Sequence, residues 1–267
     1  MTSIDPSAPW LKISLLGGCK FQCEGSIVRL ETAKTGALLA YLALQSKPQP
    51  RQKLTGLFWG DQPEDSARRN LRHALWNIRQ QFQCPDQPPV LLGDSQEIAF
   101  NLDAGDWLDV REFEQCLQSE SEITTAALRA DDRFALLRQA ADLYGGDLLD
   151  GVNVADAPEF EQWLLVERER LRAQMLETLQ RLVGYDVDWG DYATALEHVR
   201  RLLALEPWLE EAHRQKMRLL ALGGQHSAAL AQYETCRRVL AEELDVEPSR
   251  ETRALYESIR TSIEKDS

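Results

Sequence analysis

Two seven-residue stretches, Gly190-Asp191-Tyr192-Ala193-Thr194-Ala195-Leu196 and Gly224-Gln225-His226-Ser227-Ala228-Ala229-Leu230, stand 34 residues apart and agree at their first, sixth and seventh positions. Such an offset describes a helix–turn–helix unit, in which Gly permits the tight turn and a small Ala lets two helices approach closely. A long side chain follows on the second helix of each unit, Val199 and Tyr233, and Pro207 ends the helix after Leu205-Glu206. A single unit cannot bury its apolar face alone, so a chain with this pattern must stack helical hairpins side by side.

Thirty-four residues is the tetratricopeptide period. A weaker echo, Gly146-Asp147-Leu148-Leu149, precedes the clear repeats, and from Asp109 onward the pattern is helical: Asp109–Gln118, about 131–144, about 159–184, then further pairs to Ile263. Helical repeats of this kind ordinarily present a binding surface and not a catalytic one.

The first hundred residues read differently. Leu11–Leu16, Lys20–Cys23 and Ile27–Leu30 are short β-prone runs separated by Gly17-Gly18 and Glu24-Gly25-Ser26, which predicts a small antiparallel opening sheet. A first helix from about Ala33 to Gln45 carries Leu38, Leu39, Leu42 and Ala43 on one stripe and is terminated by Pro48 and Pro50. A second runs from about Arg51 to Trp59 and is broken by Gly60-Asp61-Gln62-Pro63. A third, about Asp65 to Phe82, places Ala67, Leu71, Ala74, Leu75, Ile78 and Phe82 on one face. Val90–Leu92 and Glu97–Asn101 then read as a β-hairpin around Gly93–Gln96.

The outward face of that third helix bears on function. It holds Arg69, His73, Trp76 and Gln80, flanked by Arg68, Asn70, Arg72, Asn77 and Arg79, and no acidic residue occurs from Ser66 to Phe82. The whole chain of 267 residues carries a net charge of −13, which argues against a polyanionic partner. That argument fails once the charge is located: through Asp103 there are 11 basic and 10 acidic side chains, and the remainder carries 19 and 33. Guanidinium groups suit phosphates and guanine edges, and Asn can pair with adenine. Sheet, three helices and hairpin is the order of a winged helix-turn-helix whose last helix enters the major groove.

The same residues carry a family resemblance. Leu15-Leu16-Gly17, Leu57-Phe58-Trp59, Ala67-Arg68-Arg69-Asn70-Leu71-Arg72 and Ile98-Ala99-Phe100-Asn101 resemble the OmpR-type winged helix, as found in the Streptomyces antibiotic regulatory protein class. Further on, Asp109-Val110-Arg111-Glu112-Phe113, the tract Leu143–Gly151, Trp163–Leu171 and Leu244–Thr252 resemble the bacterial transcriptional activator domain of the same regulators. The resemblance implies groove-facing positions at Arg69, Asn70, His73 and Asn77, with Arg68 and Arg72 at phosphates. The chain departs from the family's pattern at Trp76 and Asn77, where such helices often carry a polar or basic residue.

Competing chemistry is not written in the sequence. There is no G-x-x-x-x-G-K-[ST], no G-x-G-x-x-G after a strand and no G-x-S-x-G, so neither an enzyme nor a cofactor is expected. Cys19, Cys23, Cys84, Cys116 and Cys236 lack zinc-site spacing and read as reduced, mostly structural thiols; no metal is expected. His198 and Glu197 read as exposed helix residues, Glu167-Arg168-Glu169-Arg170 as a solvated face, and Trp163, Trp189 and Trp208 as repeat packing. The opening MTSIDPSAPW is no signal peptide, and no apolar run approaches the roughly 18–20 residues that span a bilayer, so a cytoplasmic location and no membrane are expected.

The expectation is therefore an α+β winged helix-turn-helix over residues 10–103, followed by an all-α tetratricopeptide-like activator domain over 106–263. Its function would be sequence-specific DNA-binding transcriptional regulation, with the chain acting as an activator. Arg51, Lys53, Arg68 and Arg72 would position duplex DNA, and Arg69, Asn70, His73 and Asn77 would read bases. RNA polymerase and a second copy of the chain are the candidate partners of the helical part. The rival from another class is a protein-interaction scaffold whose winged helix no longer binds DNA.

Overall fold

The structure, a computed structural model, describes residues 9–84, 86–102, 106–122 and 130–266. Most of the opening tract and the charge break at Asp103 lie outside the described residues.

Strand β1 (Leu11–Ser14) buries Leu11 and Ile13 and exposes Lys12, the period-two alternation of a half-buried strand. It pairs antiparallel with β2 (Lys20–Cys23), which turns through Glu24 and Gly25, both at positive φ, into β3 (Ser26–Val28). Helix α1 (Ala33–Ala43) starts at Thr32, whose side chain accepts the Thr35 N–H at 3.1 Å, and is buried from Thr35 to Ala43. It stops two residues before Gln45. The two-residue β4 (Gln49–Pro50) leads directly into α2 (Arg51–Trp59), and α3 (Glu64–Gln81) follows. Strands β5 (Leu91–Gly93) and β6 (Glu97–Phe100) close the hairpin, and β4 joins it as a three-stranded sheet of order β4-β6-β5.

A strand without a counterpart in the sequence reading, β7 (Asp106–Leu108), runs parallel to β1 and completes a sheet of order β3-β2-β1-β7. Helix α4 (Asp109–Glu122) starts immediately after it. Its first residue, Asp109, is buried, and Oδ2 accepts the N–H groups of Leu15 at 2.7 Å and Leu16 at 2.8 Å. The remaining helices are α5 (Ala130–Leu143), α6 (Pro158–Trp189), α7 (Tyr192–Leu205), α8 (Glu210–Leu222), α9 (His226–Leu244) and α10 (Arg250–Asp266).

The chain forms two compact units, and they do not divide at the charge break. The first comprises the described residues up to 122 together with 142–171; the second comprises 130–141 and 172–266. In the first unit Phe160 and Trp163 of α6 pack on Phe58 and Tyr41, with ring centroids 4.7 and 4.8 Å apart respectively. Gly146-Asp147-Leu148-Leu149 is not a helical repeat. It bridges the end of β1, with the Leu149 N–H donating to the Leu15 carbonyl at 2.8 Å and the Gly17 N–H to that of Asp147 at 3.0 Å. Gly17 sits at φ +85°, and a Cβ there would come within 2.8 Å of the Gly145 backbone. Arg168 also departs from the expected solvated face: its guanidinium donates to the carbonyls of Leu148 and Leu149 at 2.7 and 2.9 Å. Charge composition reports what faces water, whereas compactness follows buried apolar contact, so the two boundaries differ.

In the second unit Gly190 and Gly224 turn the chain at φ +77° and +73°, and Ala195 and Ala229 are fully buried as the 34-residue offset requires. His198 is buried, not exposed, because Ala195, Leu196, Val199 and Leu202 put it on the inward stripe of α7. Its Nδ1 lies 2.7 Å from Asp186 Oδ2, while the neighbouring Glu197 is exposed. Trp189 and Trp208 remain well exposed, and Trp189 packs on Phe134 and Tyr185.

His213 is buried with Nε2 at 2.8 Å from the Pro207 carbonyl and Nδ1 at 2.6 Å from the Gln232 amide nitrogen. A neutral ring fits, with Nε2–H donating to Pro207 and Nδ1 accepting from Gln232. Burial lowers its pKa below 6.5, so on acidification the unfolded chain takes up the proton first and stability falls as pH drops from 6.5 through the folded value. Melting is expected at a lower temperature at about pH 5.5 than at about pH 7.5, with a smaller difference in His213→Asn; an unchanged difference in that variant would contradict this assignment.

Candidate nucleic-acid interface

Helix α3 owes its two faces to spacing. Ala67, Leu71, Ala74, Leu75 and Ile78 are buried, and Arg68, Arg69, Arg72, His73, Trp76 and Arg79 are exposed. The helix follows Pro63 and opens with Glu64 and Asp65, carboxylates that suit the positive end of the helix dipole. The acid-free stretch therefore begins at the third residue of the helix.

The other wall of the surface is the start of α2 together with the turn of the hairpin. The Arg51 N–H donates to the Gln96 carbonyl at 2.8 Å, and its Nε donates to the Asp94 carbonyl at 2.8 Å. Asp94 folds the turn on itself: Oδ1 accepts the N–H groups of Gln96 at 2.7 Å and Glu97 at 3.0 Å, which holds its carboxyl below the usual range. Partial burial lowers the pKa of the Arg51 guanidinium, and the positive charges of Arg79 and Arg72 lower it further, against an opposing contribution from Asp94. Crowded like charges of this kind are relieved by an anion. Arg51, Gln52, Arg68, Arg69, Arg72 and Gln96 line a groove of about 830 Å³ between α2, α3 and the turn.

The structure sorts the expected contact residues. Arg68 is exposed and paired with Glu64; Arg69 reaches the Ser66 hydroxyl at 3.1 Å; Arg72 is exposed. Lys53 is exposed, and its ammonium donates to Gln49 Oε1 at 2.9 Å. Asn70 is half-buried and donates to Gln62 Oε1 at 2.7 Å, and His73 Nε2 lies 2.9 Å from Glu31 Oε2. Asn77 does not point outward. It is buried beside Ala74 and Ile78, and its Oδ1 accepts the Glu31 N–H at 3.4 Å, so a polar residue three positions after Ala74 has been drawn into the inward stripe. Arg79, the last arginine of the acid-free run, is exposed on the same helix but does not line this groove. The backbone clamp between Arg51 and Asp94 left no trace in sequence, because a carbonyl acceptor has no residue signature.

Among the described residues no group of His, Cys, Asp or Glu could hold a metal ion, and the five cysteines are free thiols. Among them, too, no helix is long and apolar enough to cross a membrane.

The sequence profile of the bacterial transcriptional activator domain matches residues 108–260, more than half of the chain. The chain belongs to the bacterial transcriptional activator domain family. The regulatory protein AfsR of Streptomyces coelicolor is 29% identical to it over 239 residues, covering 89% of this chain and 23% of AfsR. The regulatory protein DnrI of Streptomyces peucetius is 27% identical over 261 residues, covering 93% of this chain and 92% of DnrI. The chain thus spans about a quarter of the length of the AfsR proteins it matches and nearly all of DnrI. The solved structure of Mycobacterium tuberculosis EmbR in complex with a low affinity phosphopeptide shares the fold, with a TM-score of 0.69 at 20% identity over 95% of this chain and 65% of EmbR. The resemblance to the Streptomyces antibiotic regulatory protein class holds, and so does the expected fold: a winged helix followed by an all-helical bacterial transcriptional activator domain.

Proposed function

We propose that this member of the bacterial transcriptional activator domain family is a cytoplasmic, sequence-specific DNA-binding transcriptional activator. The observation that carries the reading is the groove lined by Arg51, Arg68, Arg69 and Arg72, where the start of α2 meets the exposed arginine face of α3. Residues 10–103 form the reading module and 106–263 the activator domain, which contacts RNA polymerase and a second copy of the chain. Arg51, Lys53, Arg68 and Arg72 take phosphates, with the start of α2 adding backbone donors. Arg69 and Asn70 reach base edges, and His73 joins them on release from Glu31. Asn77 has no part in base reading.

The test is a titration of the full chain against labelled duplex DNA at two salt concentrations. With about four phosphates neutralised, affinity is expected to fall about 100-fold between about 50 and about 200 mM salt. Undetectable binding, or binding indifferent to salt, would favour the interaction-scaffold reading instead.

A further inference from the structure

Trp76 leaves 56% of its surface exposed in the middle of the outward face of α3. It is no overflow from the core: Ala74, Leu75, Asn77 and Ile78 on either side are buried, and Trp76 alone of this stretch projects. Its indole stacks on the His73 ring, with centroids 5.9 Å apart and planes inclined by 24°. His73 is held in turn by Glu31, with Nε2 at 2.9 Å from Oε2. In the free chain the indole is therefore displayed from a supported position.

Its neighbours on the same stripe are Arg72, four residues before it, and Arg79, three after, with Arg69 a further turn away. Phosphates and guanine edges satisfy guanidinium groups, but they offer nothing to an apolar ring. Among the base-edge groups of the major groove one is apolar, the C5-methyl of thymine, and an aromatic side chain is a suitable contact for it. A flat indole set between arginines on a groove-facing helix matches that combination: cations to the backbone and guanine, ring to the methyl. We propose that Trp76 is a specificity-determining residue that packs on the C5-methyl of one thymine in the operator; this rests on the DNA-binding reading above.

The experiment uses the full chain and a duplex that it selects from a random pool. Each thymine is replaced in turn by deoxyuridine, which removes the methyl and leaves every hydrogen-bonding group in place. At one position the replacement is expected to weaken wild-type binding about fourfold, the effect of one buried methyl. Trp76→Ala should lose sensitivity at that position, Trp76→Phe should keep part of it, and the salt dependence of all three proteins should be the same. The side chain is exposed, so melting temperatures should agree and folding is checked independently. If no thymine matters to wild type, or if wild type and Trp76→Ala lose equally at the same position, the proposal is wrong while DNA binding stands. A Trp76→Ala loss that is uniform over all duplexes overturns it too, since the ring then packs on backbone. A chain that selects no duplex at all refutes the DNA-binding reading and this proposal with it.

Discussion

Replacing Asp109 with alanine is expected to destabilise the first compact unit by about 3–5 kcal/mol, read as a lower denaturant midpoint with an unchanged slope. Asp109 is 3% exposed and its carboxylate serves three backbone donors: Oδ2 accepts the N–H groups of Leu15 and Leu16, and Oδ1 that of Val110. Leu15 and Leu16 are themselves buried, so their amides cannot turn to water when the acceptor is removed. Each orphaned buried donor costs about 1–3 kcal/mol, and the missing side chain leaves a small void as well. Burial raises the Asp109 pKa, against the lowering effect of the Leu16, Leu15 and Val110 amides; desolvation is thus the larger influence on this group. Asp109→Asn keeps the shape and one acceptor oxygen and should cost less, about 1–2 kcal/mol. An alanine variant as stable as wild type would show that these hydrogen bonds contribute nothing net.

The same contact decides how the DNA-binding reading is tested. A fragment ending near residue 104 would lack β7, which pairs with β1, and Asp109, which holds Leu15 and Leu16. Loss of binding by such a fragment would report a damaged fold, so the full chain is the material for every binding measurement.

Arg69→Ala combined with Arg72→Ala is expected to weaken binding to the selected duplex by about 100-fold or more. Each guanidinium lost from a phosphate or a base edge removes about 1–3 kcal/mol, and two on one helix face act on the same ligand. Both side chains are exposed, and the partner shown for Arg69 is the Ser66 hydroxyl at 3.1 Å, so the fold has little at stake. Fluorescence anisotropy with a parallel thermal melt separates the two effects. A double variant that melts like wild type and binds within about threefold of it would remove α3 from the DNA interface.

Element by element, what was legible followed from local spacing. The buried stripe of α3 and the turns at Gly190 and Gly224 are periodic within a few turns of chain, and a helix transmits that periodicity directly to burial. The strand β7 is three residues long and finds its partner nearly a hundred residues earlier, so nothing local announces it. The burial of His198 and Asn77 is hidden from the sequence for a related reason: a polar side chain reads as exposed until a partner such as Asp186 or the Glu31 amide is known to wait inside.

The sequence by itself determined the helical repeat, the amphipathic third helix with its acid-free arginine face, and the confinement of the net negative charge to the residues after Asp103. Only the tertiary structure decided that Arg51 joins Arg68, Arg69 and Arg72 around one groove, that Asn77 turns inward, and that β7, α4 and the start of α6 pack with the winged helix in one unit. The division has one physical cause. Periodicity and charge are properties of neighbouring residues, whereas convergence and burial depend on contacts between segments far apart in the chain.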